Sequence, residues 1–301
     1  MKNHPPEPES LTAVILLAPM VLGIIALTYA PTLVSLGLSF TEWDLLGPLQ
    51  WVGFNHYLTL FSRIEMAQIA MATVIFSVTS TLLEIGLSLL VALLAYRALQ
   101  KVPAVSAFFR TACLLPLATP MIAVALFWGW LFDPAIGAFN GILLMLGWIK
   151  APVAWLYTQP WAMICVITLE VWKTTGYNVL LLLAALESLP IERLEAAQLD
   201  GASGWRLARY QLIPALSPML TFVSIVTLIH CLQAFDAIYL LTQGGPLNTT
   251  KVAVFALFEK AFLSLDVGQA SALAMLLFFV IAVLTAAQWV CNKALKSNRP
   301  I

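Results

Sequence analysis

Residues 191–214, IERLEAAQLDGASGWRLARYQLIP, decide the reading of this chain. Seven charged residues fall between Glu187 and Arg209: Glu187, Glu192, Arg193, Glu195, Asp200, Arg206 and Arg209. The previous charge is Lys173 and the next is Asp236. A compact, charged, helix-favouring insert in so apolar a chain belongs at the edge of a solvent that rejects charge.

That solvent is lipid. The 301 residues are 61% hydrophobic and 10% charged, with a mean hydropathy of +0.92, whereas soluble domains carry about 25% charged residues. No soluble fold of this length hides so much apolar surface. Zero net charge gives no basis for a nucleic-acid partner, and membrane lipid is the surrounding partner instead. Cys113, Cys165, Cys231 and Cys291 are widely spaced in apolar stretches and form no metal-ligand or disulfide pattern.

A spanning helix needs about 20 predominantly apolar residues, and six stretches qualify: 11–38, 67–95, 105–131, 161–186, 212–241 and 269–292. Residues 1–10 read as a short tail rather than a signal peptide, because the apolar run that follows exceeds the roughly 7–15 residues of a signal core. Residues 293–301 form a second tail. The stretch 133–160 is interrupted by Pro134, Pro152 and Pro160 and reads as an interfacial re-entry or short amphipathic segment. Trp43, Trp51, Trp148 and Trp155 fit an interfacial belt or a protein contact. With the N-terminus inside, the inner Lys and Arg residues are Lys2, Arg97, Lys101, Arg110, Arg193, Arg206, Arg209, Lys293, Lys296 and Arg299. The outer ones are Arg63, Lys150, Lys251 and Lys260. This asymmetry predicts that both termini and the 187–211 insert are cytoplasmic.

Within the insert, Pro190 suits a first helical turn, and Glu192 and Glu195 complement its dipole. Asp200-Gly201 is a turn signal. Ser203 is placed to cap a second helix carrying Trp205, Arg206, Leu207 and Arg209, before Pro214 opens the next span. The small residues Ala196, Ala197, Gly201 and Ala202 would let another surface approach the backbone. On these grounds alone an amphipathic pair lying on the membrane is as good a reading as a docking element.

Resemblance separates the two. EAAQLDGASGWRLARYQLIP is similar to the EAA loop of binding-protein-dependent ABC transporter permeases, whose pattern is E-A-A, three residues, G, nine residues, I-x-L-P. Glu195, Ala196, Ala197, Gly201 and Pro214 match in register, while Gln211 and Ile213 depart at the entry to the next span. FFRTACLLPLATPMIAVALFWGWLFDPAIGAFN (108–140), EVWKTTGYNVLLLLAALESLP (170–190) and YLLTQGGPLNTTKVAVFALFEKAFLSLDVGQASALAMLL (239–277) resemble the sugar-type subgroup, which includes permeases for maltose, other oligosaccharides and glycerol 3-phosphate.

The resemblance implies an all-α integral membrane fold of type I importer permeases: six transmembrane helices over 11–292 with a cytoplasmic coupling helix. Glu195, Ala196, Ala197, Asp200, Gly201 and Ala202 would then couple to an ATPase. The implied partners are a second homologous permease, two copies of an ABC ATPase, an extracytoplasmic solute-binding protein and a small-molecule solute. This chain would bind no cofactor, with ATP and Mg held by the ATPase. The implied location is the inner or plasma membrane of a bacterium or archaeon.

Charges at the bilayer centre cost at least about 2.5–3.5 kcal/mol each, so those within the spans should face the bundle interior or a watery path. They are Glu84, Glu170, Lys173, His230 and Asp236, with Asn178 and Gln233 as uncharged companions. Glu170 and Lys173, three apart, can pair on one helix face or line the path. His230, Gln233 and Asp236 recur every three residues and suit sugar hydroxyls, with Phe235 and Tyr239 placed to stack on a sugar face. Glu84 has no partner evident in sequence, so a cross-helix hydrogen bond stands beside a functional role. His4 and His56 lie outside the spans, in solvent or loop packing. The scarcity of basic residues in the spans favours a neutral solute over glycerol 3-phosphate.

No phosphate-loop motif, H-E-x-x-H, C-x-x-C or G-x-S-x-G occurs. The chain is therefore not expected to be an enzyme or the ATPase itself. An ion-coupled secondary carrier would be expected to show repeats between the halves 1–150 and 151–301, and none is evident.

Overall fold

A computed structural model describes residues 8–99, 102–190 and 202–297, together with 192, 195, 197 and 199. These residues are mostly helical. In chain order the elements are α1 (8–38), the strands β1 (Thr41–Glu42) and β2 (Gln50–Trp51), α2 (Asn55–Ser62), α3 (Ile64–Leu99), α4 (Pro103–Ala118), α5 (Met121–Leu131), α6 (Ala138–Met145), α7 (Trp161–Glu187), α8 (Gly204–Leu232), α9 (Asp236–Leu241), α10 (253–263) and α11 (Val267–Ser297).

Among the described residues, four helices are long and apolar enough to cross a membrane: Thr12–Leu38, Ile64–Tyr96, Gly204–Leu232 and Val267–Val290. A fifth crossing results if α4 and α5, which meet at 89°, are one broken span. α7 has 27 residues, enough length to cross, but Glu170, Lys173 and Asn178 dilute its hydropathy.

The prolines behave unequally. Pro19, Pro116 and Pro218 sit inside continuous helices. Pro31 and Pro214 each follow a π-helical turn, at Ile25–Tyr29 and Ala208–Leu212. A proline lacks the N–H that would bond four residues back, and its ring crowds that carbonyl. A wider turn just upstream absorbs both problems without ending the helix. Pro214 therefore does not open a new span: the second helix of the charged insert continues into α8. Ser203 precedes that helix, but its hydroxyl makes no capping bond.

Pro120 does break its helix. The expected single span 105–131 is two helices, with Thr119 extended at φ −77°, ψ 131° before the proline. The expected span 212–241 is likewise broken at Gln233–Phe235, between α8 and α9, where no proline stands.

The chain divides into two compact units. In the first (1–63 with 257–279), β1 and β2 pair antiparallel, Thr41 opposite Trp51. His56 is buried there, its Nε2 2.9 Å from the Thr41 carbonyl, a loop-packing role. Gly268 of α11 lies against the same place, where a Cβ would fall 2.1 Å from that oxygen. Gly47 and Leu46 N–H groups donate to Asp44 Oδ1 at 2.7 and 3.1 Å, holding its carboxyl below the usual carboxylate range.

In the second unit (64–256 with 280–301), α7 packs against α3, α4 and α8, and α9 packs on α5. Two apolar clusters share α7. One holds Val166 and Leu169 with Phe76, Val124, Trp128, Ile238 and Phe255. The other holds Val179, Leu182, Leu183 and Leu186 with Ala92, Tyr96, Leu216 and Val223. Between them lies the polar stretch Glu170–Asn178. The segment 133–160 contributes the short α6 rather than a span. Its Asn140 accepts from Val153 N–H (3.1 Å) and Trp155 Nε1 (2.9 Å) and donates to the Val153 carbonyl (2.9 Å).

Candidate functional site

The polar stretch of α7 opens onto a cavity of about 330 Å³ where the two helix breaks meet. Leu117 and Met121 flank the α4–α5 break; Glu170, Lys173 and Thr174 come from α7; His230 and residues 233–237 come from the α8–α9 break. Six of the seven path residues expected from sequence converge here: Glu170, Lys173, His230, Gln233, Phe235 and Asp236. Polar groups at broken helices are tolerated at membrane depth where the backbone lines a cavity.

The pairing differs from the expectation. Glu170 and Lys173 do not join each other. His230 Nδ1 of α8 stands 3.2 Å from Glu170 Oε1 of α7, with Glu170 buried. Lys173 Nζ donates to the carbonyls of Thr119 (2.8 Å) and Pro116 (3.2 Å). Each reaches across to a neighbouring helix, which offers a partner in better position than the residue three places along. The stripe His230, Gln233, Asp236 does not run along one continuous helix either. Gln233 ends α8 and Asp236 begins α9, so the break itself turns both toward the cavity. Phe235 stacks on Tyr239, with centroids 5.2 Å apart and planes 19° apart.

Asn178 is placed elsewhere. It is buried, donating to Thr227 Oγ1 at 3.1 Å and lying 3.5 Å from Glu84 Oε2. Cys231 Sγ completes the group, 3.6 Å from Glu84 Oε1. This knot ties α3, α7 and α8 beside the cavity and supplies Glu84 with cross-helix partners. Ser77, Thr81, Glu84 and Ser88 are all buried on one face of α3. Their 4-3-4 spacing was a sequence signal for an inward polar seam. Thr174 was not singled out from sequence. It lines the cavity because it follows Glu170 by one turn, to whose carbonyl its hydroxyl bonds at 2.8 Å.

In the charged insert, Glu195 is exposed, Ala197 is buried and helical, and Ala202 N–H donates to the Ala197 carbonyl at 2.9 Å. Ala196, Asp200 and Gly201 lie outside the described residues.

Long apolar helices around a polar cavity at two mid-helix breaks define a membrane transport protein. Residues 85–294 match the family of the binding-protein-dependent transport system inner membrane component, and this chain belongs to that family. It is a permease subunit of an ABC importer. A probable ABC transporter permease of Pyrococcus horikoshii is 30% identical over 286 residues, 94% of this chain and 97% of its own. The trehalose/maltose transport system permease MalF of Thermococcus litoralis is 36% identical over 235 residues, 78% of this chain and 77% of its own. The sn-glycerol-3-phosphate transport system permease UgpA of Rhizobium meliloti is 30% identical over 284 residues, 94% of each chain. In fold, the chain is similar to a bacterial ABC transporter that imports the acidic polysaccharide alginate, with TM-score 0.80, 22% identity, and 95% of this chain and 96% of that one covered.

Proposed function

We propose that this chain crosses the membrane six times, with both termini cytoplasmic, and forms with a second permease the path for a sugar or sugar-like solute. The six crossings are α1, α3, the broken pair α4–α5, α7, the broken pair α8–α9, and α11. Residues 1–10 and 293–301 are cytoplasmic tails around the permease domain 11–292. The cavity carries the reading, because it gathers Glu170 and Lys173 from one stretch of chain and His230, Gln233, Phe235 and Asp236 from another. Amides, carboxylates and a stacked aromatic pair are the groups that hold a hydroxylated ring. Asn178 supports that wall from behind.

The coupling site is formed by Glu195, Ala196, Ala197, Asp200, Gly201 and Ala202. Two ATPase copies, which bind ATP and Mg, act on it from the cytoplasm, and this chain itself binds no cofactor. An extracytoplasmic binding protein delivers the solute to the outer loops. The glycerol 3-phosphate reading is the alternative, suggested by the names of several relatives. Mild-detergent extraction of the chain from its native membrane should recover a phosphate-loop ATPase and a second EAA-bearing permease, with ATP hydrolysis stimulated by solute and its binding protein. Repeated recovery of a folded, solitary chain would overturn the importer assembly.

A further inference from the structure

Lys173 supplies the only ammonium group of the cavity wall among the described residues, and protein carbonyls already engage it. Pro120 has no N–H to return to the Pro116 carbonyl, which receives only a 3.3 Å bond from Thr119 N–H. The bend at Thr119–Pro120 leaves the Thr119 carbonyl outside the helical ladder as well. Without a donor from elsewhere the Thr119 oxygen would stand unsatisfied and the Pro116 oxygen would keep only that long bond, and Lys173 Nζ donates to both, at 2.8 and 3.2 Å. The imidazole of His230 is similarly turned to a protein group, the Glu170 carboxylate, at 3.2 Å. What remains open to the cavity is the Gln233 amide, the Asp236 carboxylate and the outer edge of the His230 ring, all three residues being exposed. The wall thus carries two carboxylates, Glu170 and Asp236, against one ammonium already bound to backbone and one imidazole already bound to Glu170.

We propose that Lys173 is a positioning residue that holds the α4–α5 break open without touching solute, and that the cavity therefore accepts an uncharged, hydroxyl-rich solute and turns anions away. The inference rests on the reading of this cavity as the solute site. An anion entering here meets the Asp236 carboxylate, while the two bases of the wall are already engaged, Lys173 by carbonyls and His230 by Glu170. To recruit Lys173 it would have to strip two carbonyls of their donor. A neutral polyol or saccharide faces neither obstacle: its hydroxyls donate to Asp236 and accept from Gln233, and one ring face lies on the Phe235–Tyr239 pair.

The test uses the complete importer, with both permeases, ATPase and binding protein, in lipid nanodiscs. ATP hydrolysis is measured against neutral solutes (maltose, trehalose, glycerol) and anionic ones (sn-glycerol 3-phosphate, galacturonate oligomers). Stimulation by neutral solutes and by none of the anions is the expected result in the wild type. K173M should lower the maximal rate several-fold while barely moving the half-saturating solute concentration. K173R, which carries donors for both carbonyls, should restore the rate. Anion stimulation that disappears in K173M would make Lys173 a solute ligand and overturn the inference, leaving the cavity as the solute site. Intact basal hydrolysis that no solute of either set stimulates would overturn the reading of the cavity itself. Should K173M fail to assemble, the wild-type panel decides the matter alone.

Discussion

Gly176 of α7 sits directly on the backbone of Cys113 of α4: a Cβ at position 176 would fall 2.0 Å from the Cys113 carbonyl oxygen. The obstacle is backbone rather than a flexible side-chain tip, so no rotamer change relieves it. The close approach holds α4 and α7 together between two polar links. These are Lys173 at the α4–α5 break and Arg110, whose guanidinium meets Glu187 at the last turn of α7.

Gly176→Ala should therefore force α4 and α7 apart, at about 1–3 kcal/mol in line with overpacked cores. Thermal unfolding in detergent should show a lower midpoint, and Gly176→Val a still lower one. An unchanged midpoint for both would mean that the two helices do not meet at this point.

Asn140 holds α6 to residues 153–155 through three hydrogen bonds. Asn140→Ala leaves the Val153 N–H and the Trp155 indole N–H without acceptors, each costing roughly 1–3 kcal/mol where buried. Limited proteolysis should then cut between 146 and 160 well before the rest of the bundle opens. Protection equal to wild type would show that the segment is held by other contacts.

The Glu170–His230 link crosses from α7 to α8 with one partner buried and the other half open. Removing the imidazole in His230→Ala strands a buried carboxylate, which is worse than removing both groups. A double-mutant cycle with Glu170→Gln should give a coupling of roughly 0.5–3 kcal/mol in thermal stability. Strict additivity would dissolve the link.

Glu195 is exposed on the segment assigned to ATPase coupling. Glu195→Lys reverses a charge that touches nothing described within the chain. It should leave the unfolding midpoint unchanged while most of the ATPase is lost on co-purification at moderate salt. Undiminished recovery of the ATPase would remove Glu195 from the docking surface.

Six apolar runs and a charged insert at residues 187–211 are properties of composition along the chain, and lipid responds to composition. Membrane residence, the approximate helix ranges and the membership marked by Glu195, Ala196, Ala197 and Gly201 were therefore readable from sequence. So was the gathering of polar residues near His230 and Asp236, because a charge in a span must find company. Pairing was not readable. Lys173 has Glu170 three residues away, yet its partners are two carbonyls more than fifty residues earlier in the chain. Nor do prolines announce the breaks: Pro19, Pro116 and Pro218 are carried inside helices, Pro120 stops one, and the break at Gln233–Phe235 has none. Whether a freed carbonyl ends a helix depends on which neighbour can satisfy it. That neighbour is set by how α4, α7 and α8 pack, through contacts such as Gly176 on Cys113, and only the tertiary structure decides it.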